Sequence, residues 1–546
     1  MGTIPKDHAD IYRQLHGAGQ RVMVEKPAGA GKTTLLRQIM ALLQASSTRA
    51  VDSSLFYGPA VNQVCLAFNR EAAAELQSYR LPSGAVLPAS TMHSLGLQAL
   101  LRLGRQMNTN DSAHIAALQK AWNERLKEAG STIVIPQARV RDAYYLAQAG
   151  MKVGIVPADS QFLANTVIED SADGWAEAAR IASRRPPDDV TVEDARVVMN
   201  LYLDGDVNLI GFSHQLWLPV AFGLKPAQPY DLVAVDEAQD LSPLMHAFVD
   251  NLLSDNTRLL VVGDRNQSIY GFLGAMPYSM EQFQKRFSLP LIRHNVTYRC
   301  SQAVAEYARL VVPDFYAREG APEGEVNDVV TPVTLPTGFE PGDMVLCRNN
   351  GPLLVLALRA LGAGVPVGFG KDREGKSGTE KIRALAKRGC YGGTSPSEVP
   401  LSDAASRFSY LARENSSPQL EDMANAVREL AAGGLRTMQD LFDLLDAVDG
   451  SEAKINLYTI HGSKGLEADR VWIVNPGLIP SPHAAGVVEN MQQEFNLAYV
   501  AMTRAKHTLN FIRLNGTWLG TGNAKAAVPT LWHQASRYVG GFDDAA

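Results

Sequence analysis

A loop of small residues joins an apolar stretch to a helix-forming stretch near the start of the chain, and this junction constrains the fold more than any other feature. The apolar stretch is 22–24, followed by Glu25, and the loop ends in Gly31-Lys32-Thr33 before residues 35–40. Small residues let successive backbone N–H groups converge on phosphate oxygens, and a helix that follows presents the positive end of its dipole. The junction therefore predicts a buried strand, a phosphate-binding loop and a helix, as found in parallel α/β sheets.

The predicted nucleotide-binding residues are consecutive: Ala28, Gly29, Ala30, Gly31, Lys32, Thr33 and Thr34. Lys32 is placed to contact the β- and γ-phosphates of ATP, and Thr33 to bind Mg²⁺. Lys26 stands where the usual loop pattern has its first glycine. A turn that binds no ligand is the alternative interpretation, and the Gly-Lys-Thr-Thr ending disfavours it.

Length and composition indicate a soluble protein of several domains. The chain has 546 residues, more than one hydrophobic core normally organises, and 46% of them are apolar and 20% charged. The net charge of −6 means that any contact with nucleic acid must come from a local groove.

The cysteines and the apolar runs give no sign of a metal cluster or a membrane span. Cys65, Cys300, Cys347 and Cys390 lack the spacing of zinc or iron–sulfur ligands and favour reduced thiols. The chain starts without a basic-then-apolar signal, and no apolar run approaches the roughly 20 residues that span a bilayer. We therefore expect a cytoplasmic protein without a membrane partner.

Two regions carry the short, continuous apolar runs that are typical of buried parallel strands, and two others carry helical periodicity. The predicted strands are 64–68, 233–235, 259–262, 344–347 and 471–474, and the helical regions lie between 100 and 227 and between 403 and 448. This pattern predicts two α/β cores with helical insertions. The predicted limits are 1–105 and 222–290 for the first core, 106–221 for its insertion, 291–375 and 451–546 for the second core, and 376–450 for its small insertion.

Two adjacent carboxylates, Asp236 and Glu237, follow one of the predicted strands. Ligands of an open α/β sheet bind at the carboxyl ends of its strands. Asp236 is therefore a candidate ligand of Mg²⁺, and Glu237 is a candidate base for the water that attacks the γ-phosphate. A solvated turn is the alternative interpretation, and the phosphate-binding loop in the same chain disfavours it.

These motifs continue in an order that resembles UvrD/Rep/PcrA-type superfamily 1A DNA helicases. The segments that carry the resemblance are 67–75, 91–95, 236–240, 262–275, 297–300, 346–350, 459–467 and 497–506. Within that family, segments 68–70, 91–94 and 210–219 are most similar to the compact F-box-helicase and phage or bacterial branch.

The resemblance implies an α/β fold with two RecA-like P-loop domains, each a parallel sheet flanked by helices, with helical insertions of which the second is small. It further implies a DNA-dependent ATPase that uses Mg²⁺ and moves on single-stranded DNA from 3′ to 5′ to separate strands. The implied partners are single-stranded DNA and junctions with duplex, bound by a monomeric, DNA-associated motor. A protein partner in a repair, replication or defence complex is a further expectation.

The resemblance also assigns further residues to the nucleotide. Gln267 would sense the γ-phosphate, and Arg299 and Arg504 would clamp it from the second core, where positive charge stabilises the transition state. Tyr298 would stack on adenine, with core packing as the alternative, and Glu467 would contact the ribose, with a surface ion pair as the alternative. With Lys32, Asp236 and Glu237, the residues Gln267, Arg299 and Arg504 form the predicted catalytic set.

Seven residues occupy positions that the family uses for the DNA strand. They are Phe68, Thr91, His93, Tyr270, Phe272, Asn350 and His461. The aromatic ones would stack on bases, which contributes about 1–3 kcal/mol per base with little dependence on sequence. Basic residues in 371–388 and at Arg184-Arg185 could follow a phosphate backbone, but a solvated surface is the favoured interpretation.

The chain departs from the family pattern at several positions. Leu273 replaces an arginine of Rep-like proteins, and Thr34 stands where UvrD-like proteins have arginine. The family has a glutamine upstream of the loop. Three residues of this chain are candidates for that position: His8, Gln14 and Gln20. Two alternative functions remain open. One is an ATP-gated DNA-binding or sensing subunit, and the other is a translocase that displaces proteins with little unwinding.

Overall fold

The computed structural model describes residues 5–49, 61–81, 83–182, 187–271, 278–329, 338–371, 377–415, 417–449, 455–484 and 487–512. The chain divides into two compact units. Unit 1 comprises the described residues up to Glu25, Lys32–Arg265 and Tyr270–Arg293. Unit 2 comprises Lys26–Gly31, Asn266–Ile269 and the described residues from His294 onward.

Unit 1 is organised around a six-stranded parallel sheet. Its strands, with those of a separate two-residue pair, are β1 (Arg21–Glu25), β2 (Gln63–Ala67), β3 (Ala89–Thr91), β4 (Gln106–Met107), β5 (Leu209–Ile210), β6 (Leu232–Val235), β7 (Arg258–Gly263) and β8 (Leu291–Arg293). The large sheet has the order β3-β2-β6-β7-β1-β8, and β4 pairs with β5. Every neighbouring pair in the large sheet is parallel.

Helices cover this sheet and form the first insertion. They are α1 (Lys6–Gln14), α2 (Lys32–Arg49), α3 (Arg70–Gln77), α4 (Met92–Arg102), α5 (Asp111–Glu128), α6 (Gln137–Val153), α7 (Ala172–Ile181), α8 (Asp189–Leu203), α9 (His214–Ala221), α10 (Pro243–Leu252) and α11 (Ser279–Phe287). Between α4 and α9 the helices and strands of the described chain are α5–α8, β4, β5 and a single 3-10 turn, so α-helix dominates as the periodicity predicts.

Successive residues of the central strands alternate between two hydrophobic cores. In β7, Leu259 and Val261 pack in the core that contains the insertion helices, whereas Leu260 and Val262 pack in the core that contains α2. This two-residue period is the geometry of a strand, and burial on both faces explains why these strands read as continuous apolar runs.

Unit 2 contains a second six-stranded parallel sheet. The strands of the unit are β9 (Val296–Thr297), β10 (Tyr316–Ala317), β11 (Glu325–Val329), β12 (Met344–Cys347), β13 (Val367–Phe369), β14 (Ile455–Thr459), β15 (Ala468–Val474) and β16 (Ala505–Ile512). The order of the large sheet is β11-β16-β15-β12-β14-β13, and β9 pairs separately with β10. All pairings are parallel.

The helices of unit 2 include a small insertion between β13 and β14. They are α12 (Gln302–Ala308), α13 (Asn350–Gly362), α14 (Gly378–Ala386), α15 (Leu401–Asn415), α16 (Pro418–Ala432), α17 (Met438–Asp449) and α18 (Val488–Met502). The insertion helices α14–α17 share one hydrophobic core with the sheet, in which Phe408 and Leu420 of the insertion lie with Val345 and Leu457 of the strands.

The two units therefore confirm the predicted fold class, two parallel α/β cores flanked by helices. The domain limits within each unit remain predictions. In the part of the chain that the structure describes, we find no helix with the length and apolar character that crossing a membrane requires.

Candidate nucleotide and nucleic-acid sites

The phosphate-binding loop connects β1 to α2, which begins at Lys32. Gly29 and Gly31 have φ angles of 70° and 77°, a left-handed conformation that favours glycine. The loop segment counted in unit 2 is held by hydrogen bonds within that unit. The N–H of Ala28 donates to the hydroxyl of Tyr499 at 3.1 Å, and the N–H of Tyr298 donates to the carbonyl of Gly29 at 3.0 Å.

Asp236 and Glu237 follow β6, so they lie at the same sheet edge as the end of β1. Both are buried, and the N–H of Glu237 donates to Oδ1 of Asp236 at 2.9 Å. The φ of Glu237 is 50°, a conformation that costs free energy in a residue other than glycine and often occurs at functional positions. Nζ of Lys32 lies 4.0 Å from Oε2 of Glu237, so the predicted phosphate contact and the predicted base are neighbours.

Gln239 links the segments that follow β6 and β7. Its side-chain amide donates to Oε2 of Glu237 at 2.5 Å, and its side-chain carbonyl accepts the N–H of Asp264 at 2.9 Å. Gln239 is not among the predicted site residues, although segment 236–240, which carries the family resemblance, contains it. Its contact to Asp264 joins distant parts of the chain, so no local pattern indicates that contact.

A second unpredicted contact lies where β1 enters the phosphate-binding loop. Glu25, the last residue of β1, is buried, and its carboxylate pairs with Arg265 at 2.5 and 3.0 Å and with Arg293 at 3.2 Å. Arg265 also pairs with Glu281 at 2.9 Å. The two arginines offset the negative charge of Glu25, which otherwise opposes the binding of a phosphate nearby.

In unit 2, Arg299 and Glu467 form an ion pair, with Nε of Arg299 2.7 Å from Oε2 of Glu467. Glu467 also pairs with Nζ of Lys506 at 3.0 Å, and Arg299 donates to the carbonyl of Thr503 at 3.0 Å. Burial raises the pKa of Glu467, but the two cations outweigh it and hold the pKa below its ordinary value. The ion pair considered for Glu467 is thus present. Tyr298 is 67% exposed, so core packing is the wrong explanation for it.

Arg504 and Gln267 belong to unit 2, and both are buried. The Arg504 guanidinium donates to the carbonyls of Val500 at 2.9 Å and Leu466 at 3.0 Å. Arg504 therefore braces the end of α18 in addition to any role with a nucleotide. Gln267 ends a single-turn 3-10 helix, and its backbone carbonyl accepts from Nζ of Lys464 at 2.6 Å.

An aromatic pair lies in unit 1 beside the acidic residues. The rings of Phe68 and Tyr270 have centroids 5.8 Å apart and planes within 4° of parallel. Phe68 follows β2, the strand next to β6, and Leu66 pairs in register with Val235. Phe68 lies two residues after Leu66, and Glu237 lies two residues after Val235. Phe68 and Glu237 therefore follow the same paired position of the two strands. Phe272 lies outside the described residues.

Thr91 and His93 lie at the end of β3 and the start of α4. Thr91 caps α4 by accepting the N–H of Ser94 at 3.1 Å. His93 stacks on Phe212 with ring centroids 4.1 Å apart and planes 17° apart. Burial, aided by the charge of Arg70, lowers the pKa of His93 to about 4, so its ring is neutral at pH 7. Phe212 is 61% exposed and is not among the predicted site residues, although it lies in segment 210–219, which is similar to one branch of the family.

Asn350 and His461 follow the neighbouring strands β12 and β14 of unit 2, at one edge of its sheet. Asn350 is the first residue of α13, and His461 opens a single-turn 3-10 helix. Burial, with the charges of Arg348 and Lys464, lowers the pKa of His461 to about 3. His461 is therefore neutral at pH 7.

Comparison with protein-family models assigns the chain to a family. The model for the UvrD/REP helicase N-terminal domain matches residues 12–288, which is half of the chain. The chain belongs to the UvrD/Rep helicase family. The model for the UvrD-like helicase C-terminal domain matches residues 404–516, and the predicted resemblance to UvrD/Rep proteins is thus confirmed.

Several curated proteins of the UvrD/Rep family are similar to the chain. F-box DNA helicase protein 1 of Schizosaccharomyces pombe is 26% identical over 90% of this chain and 55% of its own length. ATP-dependent DNA helicase UvrD2 of Mycobacterium tuberculosis is 25% identical over 51% of this chain and 46% of its own. DNA helicase II of Escherichia coli is 22% identical over 60% of this chain and 61% of its own. The chain thus spans about half to three fifths of the length of these relatives.

The structure shows the surroundings of the three candidates for the glutamine expected upstream of the loop. His8 is buried, and its Nδ1 lies 2.5 Å from Oε1 of Gln38 on α2. Gln14 and Gln20 are exposed. His8 is thus the candidate that packs against the helix after the loop.

Other predicted basic surfaces are only partly described. Lys387 and Arg388 are exposed at the end of α14, which agrees with a solvated surface. Residues 372–376 and Arg184-Arg185 lie outside the described residues.

The residues proposed for Mg²⁺ offer suitable donors. Thr33 has a hydroxyl and Asp236 a carboxylate, and oxygen ligands of these types are those that Mg²⁺ prefers. Among the described residues no group of three or more His, Cys, Asp or Glu side chains could hold a metal ion by itself. A cation here would therefore complete its coordination with phosphate oxygens and water, as is usual for Mg²⁺ bound with a nucleotide.

Proposed function

We propose that the chain is a DNA-dependent ATPase that moves along single-stranded DNA from 3′ to 5′ and separates strands. The observation that carries this proposal is the arrangement of one sheet edge in unit 1. The candidate residues for binding phosphate and Mg²⁺ follow β1 and β6. An aromatic pair, Phe68 and Tyr270, lies beside them. Membership of the UvrD/Rep helicase family supports the same function.

On the nucleotide, Lys32 would neutralise the β- and γ-phosphates, and Thr33 and Asp236 would hold Mg²⁺. That ion, when bound, offsets phosphate charge that develops during hydrolysis. Glu237 would accept the proton of the attacking water, and the hydrogen bond from Gln239 would fix the direction in which its carboxylate points.

The family resemblance assigns the remaining predicted residues to the nucleotide as well. Gln267 would respond to the γ-phosphate, and Arg299 and Arg504 would stabilise the charge of the transition state. Tyr298, whose ring is exposed, would stack on adenine, and Glu467 would contact the ribose when its ion pair with Arg299 opens. The loss of that ion pair would free the Arg299 guanidinium for phosphate.

On the DNA, Phe68 and Tyr270 would stack on bases, and the exposed ring of Phe212, backed by His93, would extend this platform. The backbone N–H of Asp236 donates to the carbonyl of Leu66 at 3.0 Å, so β2, which precedes Phe68, is bonded directly to the acidic pair. We propose this contact as the link between base stacking and hydrolysis. Thr91, Asn350 and His461 are proposed as further strand contacts.

The test is ATPase activity of the full chain with and without single-stranded DNA, followed by strand displacement from duplexes with a 3′ or a 5′ tail. We expect stimulation by DNA and displacement from the 3′-tailed duplex only. Lys32→Ala and Glu237→Gln should each abolish displacement while the circular dichroism spectrum stays that of the parent chain. Hydrolysis that is indifferent to DNA would refute the proposal.

A protein-displacing translocase is a second candidate, and the small insertion that shares the core of unit 2 favours it. A motor that lacks a large separate insertion has less surface with which to hold a duplex ahead of it. Removal of streptavidin from biotinylated, 3′-tailed DNA without displacement of the paired strand would support this candidate over the helicase.

A further inference from the structure

A carboxylate of the unit 2 insertion contacts the turn that carries Asn350, a predicted DNA-binding residue. Asp422 lies on α16, and its Oδ2 accepts the backbone N–H of Gly351 at 3.0 Å. Gly351 is the second residue of α13, directly after Asn350. The N–H groups of a helix's first turn have no partner inside the helix, so Asp422 satisfies one of them from a different part of the chain.

The same carboxylate interacts with the residues on either side of this position. The side chain of Asn349 and the backbone N–H of Asn350 stabilise its charged form, as does the nearby guanidinium of Arg348. Arg348 is itself fixed by Glu494, to which its Nη2 donates at 2.7 Å. The turn that carries Asn350 is thus held between α18 and α16.

The insertion shares its hydrophobic core with the rest of unit 2. Its residues Met423 and Val427, on the same helix as Asp422, lie in one hydrophobic core with Leu353 and Leu356 of α13. Sliding α16 away from α13 would expose this core to water, so the position of Asp422 relative to Asn350 is strongly restrained.

We propose that Asp422 is a positioning residue, through which the small insertion fixes Asn350 for contact with the DNA strand. The inference rests on the proposed function and names a residue outside the predicted site. A carboxylate at this helix start accepts a hydrogen bond from the backbone turn. Its negative charge also interacts favourably with the positive end of the helix dipole. The insertion then acts as a fixed support for DNA binding.

The experiment measures ATPase rate against the concentration of a single-stranded oligothymidylate for the full chain. Asp422→Ala should raise the DNA concentration for half-maximal stimulation about tenfold, as expected when a charge-assisted hydrogen bond that holds a contact is lost. The maximal rate and the rate without DNA should change less than about twofold, because the nucleotide residues are untouched. Asp422→Asn keeps an acceptor oxygen and should restore most of the DNA response.

Asp403 is an exposed carboxylate on α15 of the same insertion, and Asp403→Asn is the matched control. This variant should need the same DNA concentration for half-maximal stimulation as the parent chain. The decisive variant is Asn350→Ala combined with Asp422→Ala. If Asp422 acts through Asn350, the double variant binds DNA as weakly as Asn350→Ala alone, within about twofold. Additive losses, or a parent-like response of Asp422→Ala in a chain that DNA stimulates, would overturn this inference while leaving the proposed function intact. A parent chain that DNA does not stimulate would overturn both.

Discussion

Gln239 donates a hydrogen bond to Glu237 at 2.5 Å. The same side chain accepts the N–H of Asp264 at 2.9 Å, so it fixes the spacing of two segments that follow adjacent strands. Glu237 has a left-handed backbone and lies 4.0 Å from Lys32. The direction of the Glu237 carboxylate therefore depends on a neighbour as well as on its own rotamer.

Gln239→Ala should lower kcat for ATP hydrolysis about 10- to 100-fold, because general-base catalysis depends on orientation and typically contributes 10²–10⁴-fold. KM for ATP should change less than about threefold, since the phosphate-binding loop is untouched. Steady-state hydrolysis at saturating DNA measures both. Gln137→Ala, an exposed glutamine at the start of α6, is the control. A rise in KM at constant kcat would assign Gln239 to nucleotide binding instead.

Gly263 leaves room for this glutamine. A Cβ at Gly263 would lie 2.7 Å from Oε1 of Gln239 and 2.8 Å from Sδ of Met280. Gly263→Ala should therefore lower kcat in the same direction as Gln239→Ala and reduce the free energy of unfolding by about 1–3 kcal/mol, the usual effect of overpacking. Urea denaturation and ATPase assays measure the two effects. Gly392→Ala, where a Cβ meets nothing within 4 Å, should change neither.

Phe68→Ala and Tyr270→Ala should each weaken binding of single-stranded DNA by about 1–3 kcal/mol, the range for loss of one stacked base. Since the two rings stack on each other, the double variant should lose less than the sum of the single losses. Fluorescence anisotropy of a labelled oligothymidylate measures affinity. Hydrolysis without DNA should stay unchanged, and Tyr410→Ala, an exposed tyrosine of the insertion, serves as the control. Parent-like affinity of both single variants would remove these rings from the DNA site.

The fold could be predicted because the strands are buried on both faces and thus form short, continuous apolar runs. The predicted run 344–347 is the strand Met344–Cys347, and 259–262 lies within Arg258–Gly263. The helical region predicted between 100 and 227 contains α5, Asp111–Glu128, and three further long helices. The two-residue strands β4 and β5 were missed because a pair so short has no periodicity.

Candidate site residues could be proposed from the sequence where they belong to compact motifs, and these assignments remain predictions. Lys32, Asp236 and Glu237 belong to compact motifs, whereas the contact of Glu25 with Arg265 joins residues 240 positions apart. Gln239 and Asp422 likewise act on partners supplied by other elements of the fold. Their roles follow from strand order and helix packing, which local patterns do not specify.

Asp422 should make the stability of the chain depend on pH. Burial, opposed in part by the hydrogen bonds and by Arg348, raises its pKa from 3.8 to about 6. Between these values the folded state binds more protons than the unfolded state, so the free energy of unfolding falls as the pH rises from about 4 to about 6. At about 1.4 kcal/mol per pKa unit, this contribution amounts to about 3 kcal/mol. Asp422→Asn removes it, so the stability of this variant relative to the parent chain should rise across that interval in urea denaturation. A constant difference in stability between Asp422→Asn and the parent chain across that interval would contradict the raised pKa of Asp422.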